Sequence, residues 1–205
     1  MTKQKSRRVP KQARSRQRYN LILQTAAELF AKSGVDQVST NHIAAAAGVP
    51  IGSLYQFFPN KEAIIESLIE QYMQAFGEVF PQSLDTSVPI KEVIRHVLTQ
   101  FVHFNRENAG FKALLIGLEG TSIANVSDEM QQAIVHNIDQ VLAAYYPALA
   151  PDRRLLCATV SFSLVVGIMP VEMPPDAVVD EMVLAITAYQ QAFLKREESE
   201  KRSSK

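Results

Sequence analysis

The segment Val38–Lys61 reads VSTNHIAAAAGVPIGSLYQFFPNK, and it decides the fold class of the N-terminal part of the chain. Its pattern predicts a short helix that is capped by Ser39 or Thr40. A tight turn follows at Gly48, and Pro50 opens a second short helix, where its missing N–H costs little. Two short helices joined by a tight turn are the pattern of a helix-turn-helix, whose second helix lies in the DNA major groove.

The residues on the inner faces of these two helices support the same interpretation. Ala44 and Ala47 are small, which lets the helices cross closely, while Ile43, Val49 and Leu54 supply an apolar lock between them. A generic helical hairpin packed in a protein core would show the same spacing. Spacing alone therefore leaves that alternative open.

The residues left on the outside of the second helix suit DNA. Gly52 lets the backbone approach closely, and Ser53 and Gln56 carry groups that hydrogen-bond base edges or phosphates. Tyr55 has a hydroxyl to donate to a phosphate. Lys61 lies at the start of the next helix, where its charge and the exposed backbone amides both attract a phosphate.

Helical patterns continue on both sides of this segment. The first helix begins at about Gln12 and stops at Gly34, and a fourth helix, which Asn60 is placed to cap, runs from Lys61 to about Phe80. A polar loop follows at 81–89. Beyond it we predict five further helices and no sheet, with helical patterns at 89–107, 109–119, 126–146, 152–169 and 175–198.

Two quoted stretches together resemble the TetR family of bacterial regulators: AAELFAKSG (26–34) and VSTNHIAAAAGVPIGSLYQFFPNKEAII (38–65). The specific match is A-G-V-x-x-G-S-L-Y-x-F-F-x-N-K-E, and the strong resemblance covers about residues 15–75. It implies an all-α fold of about nine helices. An N-terminal three-helix helix-turn-helix domain would be followed by a C-terminal helical ligand-binding and dimerisation domain. It also implies a homodimer that binds a palindromic DNA operator.

Four regions follow from this comparison. We expect a mobile basic arm at 1–11 and a DNA-binding domain at 12–60, with the helix-turn-helix at about 39–58. A connecting helix would occupy 61–80, and the ligand-binding and dimerisation domain would occupy 81–205.

The resemblance also implies which residues bind DNA. By position in the motif they are Thr40, Asn41, His42, Ile51, Gly52, Ser53, Tyr55, Gln56, Phe57 and Lys61. Ile51 and Gly52 offer no polar side chain, so direct reading of bases rests on few residues. An apolar contact of Ile51 with a thymine methyl group is compatible with this position. The basic arm would add contacts to the DNA backbone or minor groove.

Charge is distributed unevenly along the chain. Residues 1–62 hold 10 Lys and Arg against 3 Asp and Glu, whereas residues 63–205 hold 11 against 18, so the two parts carry +7 and −7. A basic part joined to an acidic one indicates that the first part binds a polyanion. The alternative is a terminal tail that is basic for no specific reason.

The C-terminal part is predicted to bind a small apolar or amphipathic effector in a pocket between helices. The candidate residues recur at helical spacing or carry polar groups: His96, Phe101, His103, Phe104, Phe111, Leu115 and Glu119. Ordinary hydrophobic core is the alternative for each apolar one. His96 and His103 lack further ligands at matched spacing, so we predict no metal site and no cofactor. Cys157 lies in an apolar run, which favours a buried, inert thiol.

Two apolar stripes on the last two helices are the expected dimer interface. They comprise Val160, Leu164 and Ile168 on one helix, and Met182, Ile186, Tyr189 and Phe193 on the other. Stripes of this kind from two subunits would form a four-helix bundle. A core within one subunit would produce the same stripes.

Several classes of protein are disfavoured because the sequence lacks their characteristic motifs or segments. The basic N-terminus has no apolar stretch behind it, and no run of 18 apolar residues occurs, so we expect a soluble, cytoplasmic protein without a membrane partner. An all-α enzyme is disfavoured because no nucleophile elbow, phosphate loop, zinc motif or dinucleotide fingerprint is present. A helical adaptor that binds protein would show no salt-dependent affinity for duplex DNA. The sequence thus favours a transcriptional repressor, not an enzyme, that a small molecule releases from DNA.

Overall fold

The computed structural model describes residues 13–81, 83–117, 124–168 and 174–203, and within these ranges the secondary structure is α-helical without a strand. The helices are α1 (Ala13–Ser33), α2 (Thr40–Ala46), α3 (Ile51–Phe57), α4 (Lys61–Phe76), α5 (Ile90–Glu107), α6 (Ala109–Ile116), α7 (Ala124–Tyr145), α8 (Pro151–Ile168) and α9 (Pro175–Ser203). The prediction of an all-α fold with about nine helices is confirmed. The expected basic arm at 1–11 lies outside the described residues.

The helix ends in the N-terminal part follow from the local sequence. Ser39 Oγ accepts a hydrogen bond from the backbone N–H of His42, at 3.2 Å, and so caps α2. Asn60 Oδ1 accepts one from the N–H of Ala63, at 2.9 Å, in the first turn of α4. Gly34 ends α1 with a φ of +78°, a left-handed conformation that glycine adopts without steric cost.

Helix α4 ends earlier than its sequence pattern suggested. The pattern predicts a helix to about Phe80, whereas the structure ends it at Phe76. Gly77 follows at once, and glycine is a poor helix former. The N–H of Val79 then donates to the carbonyl of Phe76, at 3.0 Å, which closes a turn in place of another helical turn.

The described chain divides into two compact units. The first takes in residues up to 75 together with 105–130, and the second takes in 76–104 together with the residues from 131 onward. Helices α5 and α7 therefore each run from one unit into the other. Sequence patterns had placed the division at the loop 81–89 and α6 in the C-terminal domain. The contacts divide the chain differently because α6 packs on α1.

The core of the first unit is built from apolar faces of α1, the helix-turn-helix, α4 and α6. Phe30, Phe58 and Phe111 are among its fully buried side chains. Tyr19 on α1 stacks on Phe58, with ring centroids 4.8 Å apart. These aromatic contacts bury large apolar area and attach α1 to the end of the helix-turn-helix.

The second unit has its own aromatic core. Phe76 makes edge-to-face contacts with Phe80, Phe101 and Phe104, with centroids 5.5 to 5.9 Å apart. Helices α8 and α9 pack against each other in this unit.

Two neighbouring arginines of α8 make ion pairs with other helices of the second unit. Arg153 Nε on α8 donates to Glu197 on α9, at 2.8 Å, and Arg154 Nε donates to Asp139 on α7, at 2.7 Å. Arg153 also lies over the ring of Phe193, with its guanidinium carbon 5.3 Å from the ring centroid. Hydrogen bonding and stacking of this kind fix the angle at which two helices cross.

Candidate nucleic-acid interface and apolar cavity

The α2–α3 pair is locked by the residues that the sequence identified. Ile43 and Leu54 are fully buried between the helices, and Ala44 is buried beside them. The N–H of Val49 donates to the carbonyl of Ala44, at 3.0 Å, and Gly48 makes the turn with a φ of +64°. A side chain other than glycine would be strained at that φ.

This lock leaves one face of α3 open to solvent. Ile51 is 37% exposed and Tyr55 is 49% exposed. Gly52 and Gln56 are exposed as well, and Ser53 is half-buried. The predicted DNA-binding residues Ile51, Gly52 and Gln56 therefore share solvent access on one short helix, as a recognition helix requires.

Phe57 takes a different place from the other predicted DNA-binding residues. Its side chain is only 7% exposed and meets Tyr19 edge to face, with centroids 6.0 Å apart. The side chain therefore belongs to the core of the first unit and not to the outer surface. The motif position alone could not show this, because α3 has apolar residues on both its outer and its inner side.

A pair of hydroxyl groups joins α2 to α3 on the exposed side. Thr40 Oγ1 lies 3.1 Å from the Tyr55 hydroxyl oxygen, within hydrogen-bonding distance. Either group can donate to the other, and the second hydroxyl then keeps its proton for an outside acceptor such as a phosphate oxygen. Asn41 and His42, which follow Thr40, are exposed.

Lys61 lies at the N-terminus of α4, as predicted, and has a structural contact too. Its Nζ donates to the carbonyl of Val35, at 2.9 Å, and the side chain is half-buried. An ammonium group has three protons, so this hydrogen bond leaves two for other acceptors. The contact fixes the start of α4 to the loop that follows α1.

Three arginines on α1 were not singled out from the sequence. Arg14, Arg16 and Arg18 are all exposed in the first turns of the helix, which carry no acidic residue. Positive side chains at a helix N-terminus are unfavourable by themselves, because that end already carries positive partial charge. The signal that could have found them is the run RSRQR, which continues the basic character of the preceding arm.

The second unit contains an apolar cavity of about 80 Å³. Its lining residues come from the end of α4, the residues that follow it, and α5, α7, α8 and α9: Phe76, Phe80, Ile90, Val93, Ile94, Val97, Leu98, Phe101, Ile134, Ile138, Val141, Leu142, Ser161, Phe162, Val165, Ile186 and Gln190. The cavity is several times larger than the roughly 10–15 Å³ that one water needs by the same kind of measure.

The predicted pocket residues are distributed over several places. Phe101 lines the cavity, and Phe104 is buried beside Phe76 without being part of the lining. Phe111 and Leu115 are buried in the first unit. His96 and His103 are exposed on α5, and Glu119 lies outside the described residues.

Two polar residues of the cavity were missed by the sequence analysis. Ser161 and Gln190 are both buried, and Gln190 Nε2 donates to Ser161 Oγ, at 3.3 Å. The available signal was helical register, since Gln190 lies four residues after Ile186 and three before Phe193 on the apolar stripe of α9. A polar residue in such a register is buried when the stripe is buried.

The predicted dimer-interface residues also divide into groups. Met182, Ile186 and Phe193 are buried within the second unit. Val160 and Tyr189 are half-buried, Leu164 is exposed, and the side chain of Ile168 is outside the described part. The large apolar side chains that remain exposed on α8 and α9 are Leu155, Leu156, Leu164 and Leu184.

The described residues offer little for a metal site or a reactive cysteine. They contain no group of three or more His, Cys, Asp or Glu side chains that could hold a metal ion. Burial raises the pKa of the Cys157 thiol from 9.0 to about 11, so the thiol stays protonated at neutral pH.

None of the described helices combines the length and the apolar character needed to cross a membrane.

Two family models match the chain. Residues 22–68 match the model of bacterial regulatory proteins of the tetR family, and residues 89–189 match that of the tetracyclin repressor-like C-terminal domain. The first match contains α2 and α3, and the second contains α5 to α8 and the first half of α9. Together the two matched segments take in most of the chain.

Curated relatives match over a shorter length. A fatty acid metabolism regulator protein of Bacillus subtilis is 33% identical over 90 residues, which are 44% of this chain and 45% of the relative. A nucleoid occlusion factor of Actinobacillus pleuropneumoniae serotype 5b is 30% identical over 89 residues, 43% of this chain and 44% of the relative. The chain thus spans a little under half the length of these relatives.

Solved structures match over nearly the whole fold. A tetR-family transcriptional regulator from Streptomyces coelicolor superposes with a TM-score of 0.70 and 22% identity, covering 89% of this chain and 84% of the other. Proteins of this family bind DNA and act as dimers. With both family models matched and the fold shared, this chain belongs to the TetR family of DNA-binding transcriptional regulators.

Proposed function

We propose that this chain is a transcriptional repressor, not an enzyme, that binds a palindromic operator as a homodimer and is released by a small-molecule effector. The observation that carries the proposal is the open face of α3, with Tyr55 and Gln56 exposed above a buried apolar lock. A short helix that is anchored on one side and exposed on the other is suited to enter a major groove.

Phosphate contacts would come from groups around that helix. The Thr40–Tyr55 hydroxyl pair retains a donor for an outside oxygen, and Lys61 retains two. Arg14, Arg16 and Arg18 add positive charge on α1 of the same unit. Because phosphates would also relieve the unfavourable charge at the start of α1, these arginines favour DNA as the partner.

The exposed leucines of α8 and α9 support the homodimer. Leu184 is 63% exposed in the single chain, and Leu156 and Leu164 are exposed on the neighbouring helix. Large apolar side chains grouped on packed helices are typical of an interface that a second copy covers. An isologous dimer would present two recognition helices and thus require an inverted repeat in the DNA.

The apolar cavity supports release by an effector. A small molecule that binds better to the form unable to bind DNA must weaken operator binding by linkage. Helices α5 and α7 each run from the unit with the cavity into the unit with α3. Helix α4 follows α3 directly and its Phe76 lines the cavity, so occupancy of the cavity would reach the DNA-binding helices along α4 as well as along α5 and α7. A regulator of this kind acts where the chromosome is, so we place it in the cytoplasm.

The proposal is tested by transcription in vitro from a promoter that overlaps a duplex selected for binding. We expect the transcript to fall as the chain is added, and to recover when a compound that binds the cavity is added. The matched control is a promoter in which both half-sites of the duplex are scrambled. If the amount of transcript rises as the chain is added, the chain is an activator. If the chain binds the promoter and the amount of transcript does not change, the chain is not a repressor.

A further inference from the structure

The cavity of the second unit has an unusually uniform lining. Of its lining residues only Ser161 and Gln190 carry polar side chains, and none carries a charge. A charged group moved from water into such surroundings would lose its hydration without gaining a partner. The part of a ligand that enters this cavity is therefore uncharged.

Gln190 contributes one hydrogen-bonding group that the protein leaves unused. Its side chain lines the cavity, is 4% exposed, and donates through Nε2 to Ser161 Oγ. Its Oε1 has no hydrogen-bond partner among the described residues. Buried amide oxygens are nearly always paired in folded proteins, because leaving one unpaired costs its full desolvation.

The contact with Ser161 identifies the end of the Gln190 amide that is engaged. Gln190 Nε2 lies 3.3 Å from Ser161 Oγ, and the Cys157 thiol is a second hydrogen-bonding neighbour of Ser161. When the Ser161 hydroxyl donates to the sulfur of Cys157, its oxygen accepts from Gln190 Nε2. The amide oxygen, an acceptor, is then the group that remains for an occupant of the cavity.

A water molecule is a poor occupant of this position. A buried water usually makes about three hydrogen bonds, and apolar cavities stay dry. Here the wall offers Gln190 Oε1 and little else, since Ser161 is already engaged by Gln190 and Cys157. A ligand with one donor and an apolar body satisfies the same oxygen and fills the remaining space.

From these observations we infer that the cavity binds an uncharged, largely apolar molecule with one hydroxyl, a phenol or hydrophobic alcohol, whose hydroxyl donates to Gln190 Oε1. This inference rests on the proposed effector cavity and names its ligand class. Gln190 is thus the residue that determines specificity between a hydroxyl compound and its ether. The apolar walls supply affinity without distinguishing the two.

The test measures ligand binding by the full chain without DNA. The probes are 4-alkylphenols with ethyl, butyl and octyl chains, the methyl ethers of the same phenols, and the corresponding 4-alkylbenzoates, measured by calorimetry. We expect the best phenol to bind roughly tenfold more tightly than its ether, because the ether leaves the amide oxygen unpaired. The benzoate should bind more weakly than both.

Variants assign that preference to one residue. Gln190→Leu should remove the difference between phenol and ether while the ether binds as it does to the unchanged chain. The matched control is Gln191→Leu, which changes the exposed neighbour on α9 and should keep the preference. Val97→Phe, which fills the cavity, should weaken phenol and ether alike.

Three results would overturn the inference. They are equal binding of phenol and ether to the unchanged chain, a preference that survives Gln190→Leu, and no binding of any probe. None of these results depends on DNA. If the phenol binds through Gln190 but leaves operator affinity unchanged, the ligand class stands and the proposed effector role fails.

Discussion

At the scale of single residues, the hydroxyl pair of Thr40 and Tyr55 is exposed and available to DNA, whereas the Cys157 thiol is buried within the second unit. The Tyr55 hydroxyl is exposed and paired with Thr40, so it contributes little to folding, and the pair retains one donor for DNA. The Cys157 thiol is buried beside Ser161 and stays protonated. Each arrangement leads to a measurable consequence.

Tyr55→Phe should lower operator affinity about three- to tenfold, the range of one lost hydrogen bond of ordinary strength. The free energy of unfolding should change by less than about 0.5 kcal/mol, because the side chain is exposed. The matched control is Tyr145→Phe, whose hydroxyl donates to the carbonyls of Asp85 and Val88 in the second unit. That variant should lose stability and keep DNA affinity. Unchanged DNA affinity in Tyr55→Phe would contradict the assignment.

The Cys157 thiol should make stability depend on pH in the alkaline range. Burial raises its folded-state pKa from 9.0 to about 11, so between these values the unfolded chain releases the proton and the folded chain keeps it. The stabilisation is complete below pH 9 and is lost as pH rises to 11, a change of about 2–3 kcal/mol. Urea unfolding across this range should show a clearly smaller decline in Cys157→Ala. Equal declines in both chains would contradict the buried, protonated thiol.

Residue roles were predictable where a motif fixes position and not where packing decides it. The sequence predicted Ser39 or Thr40 as the cap of α2, Gly48 as the turn and Asn60 as the cap of α4, because each role depends only on neighbouring residues in the chain. It could not tell that Phe57 faces Tyr19 in the core. That outcome depends on an aromatic residue nearly forty positions earlier.

At the scale of elements, α6 shows how one glycine allows close helix packing. A Cβ built on Gly110 would lie 2.8 Å from the Tyr72 hydroxyl and 2.9 Å from the Cα of Ala27. The backbone of α1 cannot move aside as a flexible side chain would. The contact between α6 and α1 thus depends on the missing side chain.

Gly110→Ala should therefore destabilise the chain by about 1–3 kcal/mol, despite the better helix propensity of alanine. Gly52→Ala is the matched control, since a Cβ there meets nothing within 4 Å. It should raise stability by up to about 1 kcal/mol and still weaken DNA binding, because the added methyl stands between α3 and the groove. Thermal unfolding and operator titration measure the two effects. A stabilised Gly110→Ala chain would show that α6 does not pack as described.

Elements were well predicted because their signals are local. Apolar periodicity and breaker residues gave most helices near their observed bounds, but α9 runs to Ser203, five residues beyond its predicted end at 198. The end of α4 differed because its apolar pattern continues past Gly77. The assignment of α6 to the first unit could not be predicted, because it depends on contacts across more than 70 residues of chain.

At the scale of the whole molecule, the two units separate the proposed tasks. The first unit contains the helix-turn-helix, and the second contains the cavity and the exposed leucines of α8 and α9. The sequence predicts a DNA-binding N-terminal part and a ligand-binding C-terminal part, and this division of tasks stays a prediction. The cavity lining was not predictable, since its residues come together only when several distant helices pack.

Leu184→Glu should weaken the homodimer at least about tenfold, because the carboxylate would be buried against a second copy without a partner. Sedimentation at several concentrations should show a shift towards the monomer, with operator affinity falling in parallel. Leu21→Glu is the control, as Leu21 is similarly exposed but lies on α1. If both variants sediment like the unchanged chain, the leucines of α9 do not form the interface.

The central claim is that the outer face of α3 reads base sequence, and selection from a random duplex library tests it most directly. The unchanged chain and Gln56→Ala are selected in parallel at the same salt concentration. We predict that the unchanged chain enriches an inverted repeat, and that Gln56→Ala enriches the same repeat with one position relaxed in each half-site. Identical preferences for the two chains, or no enriched repeat from the folded dimer, would contradict the claim.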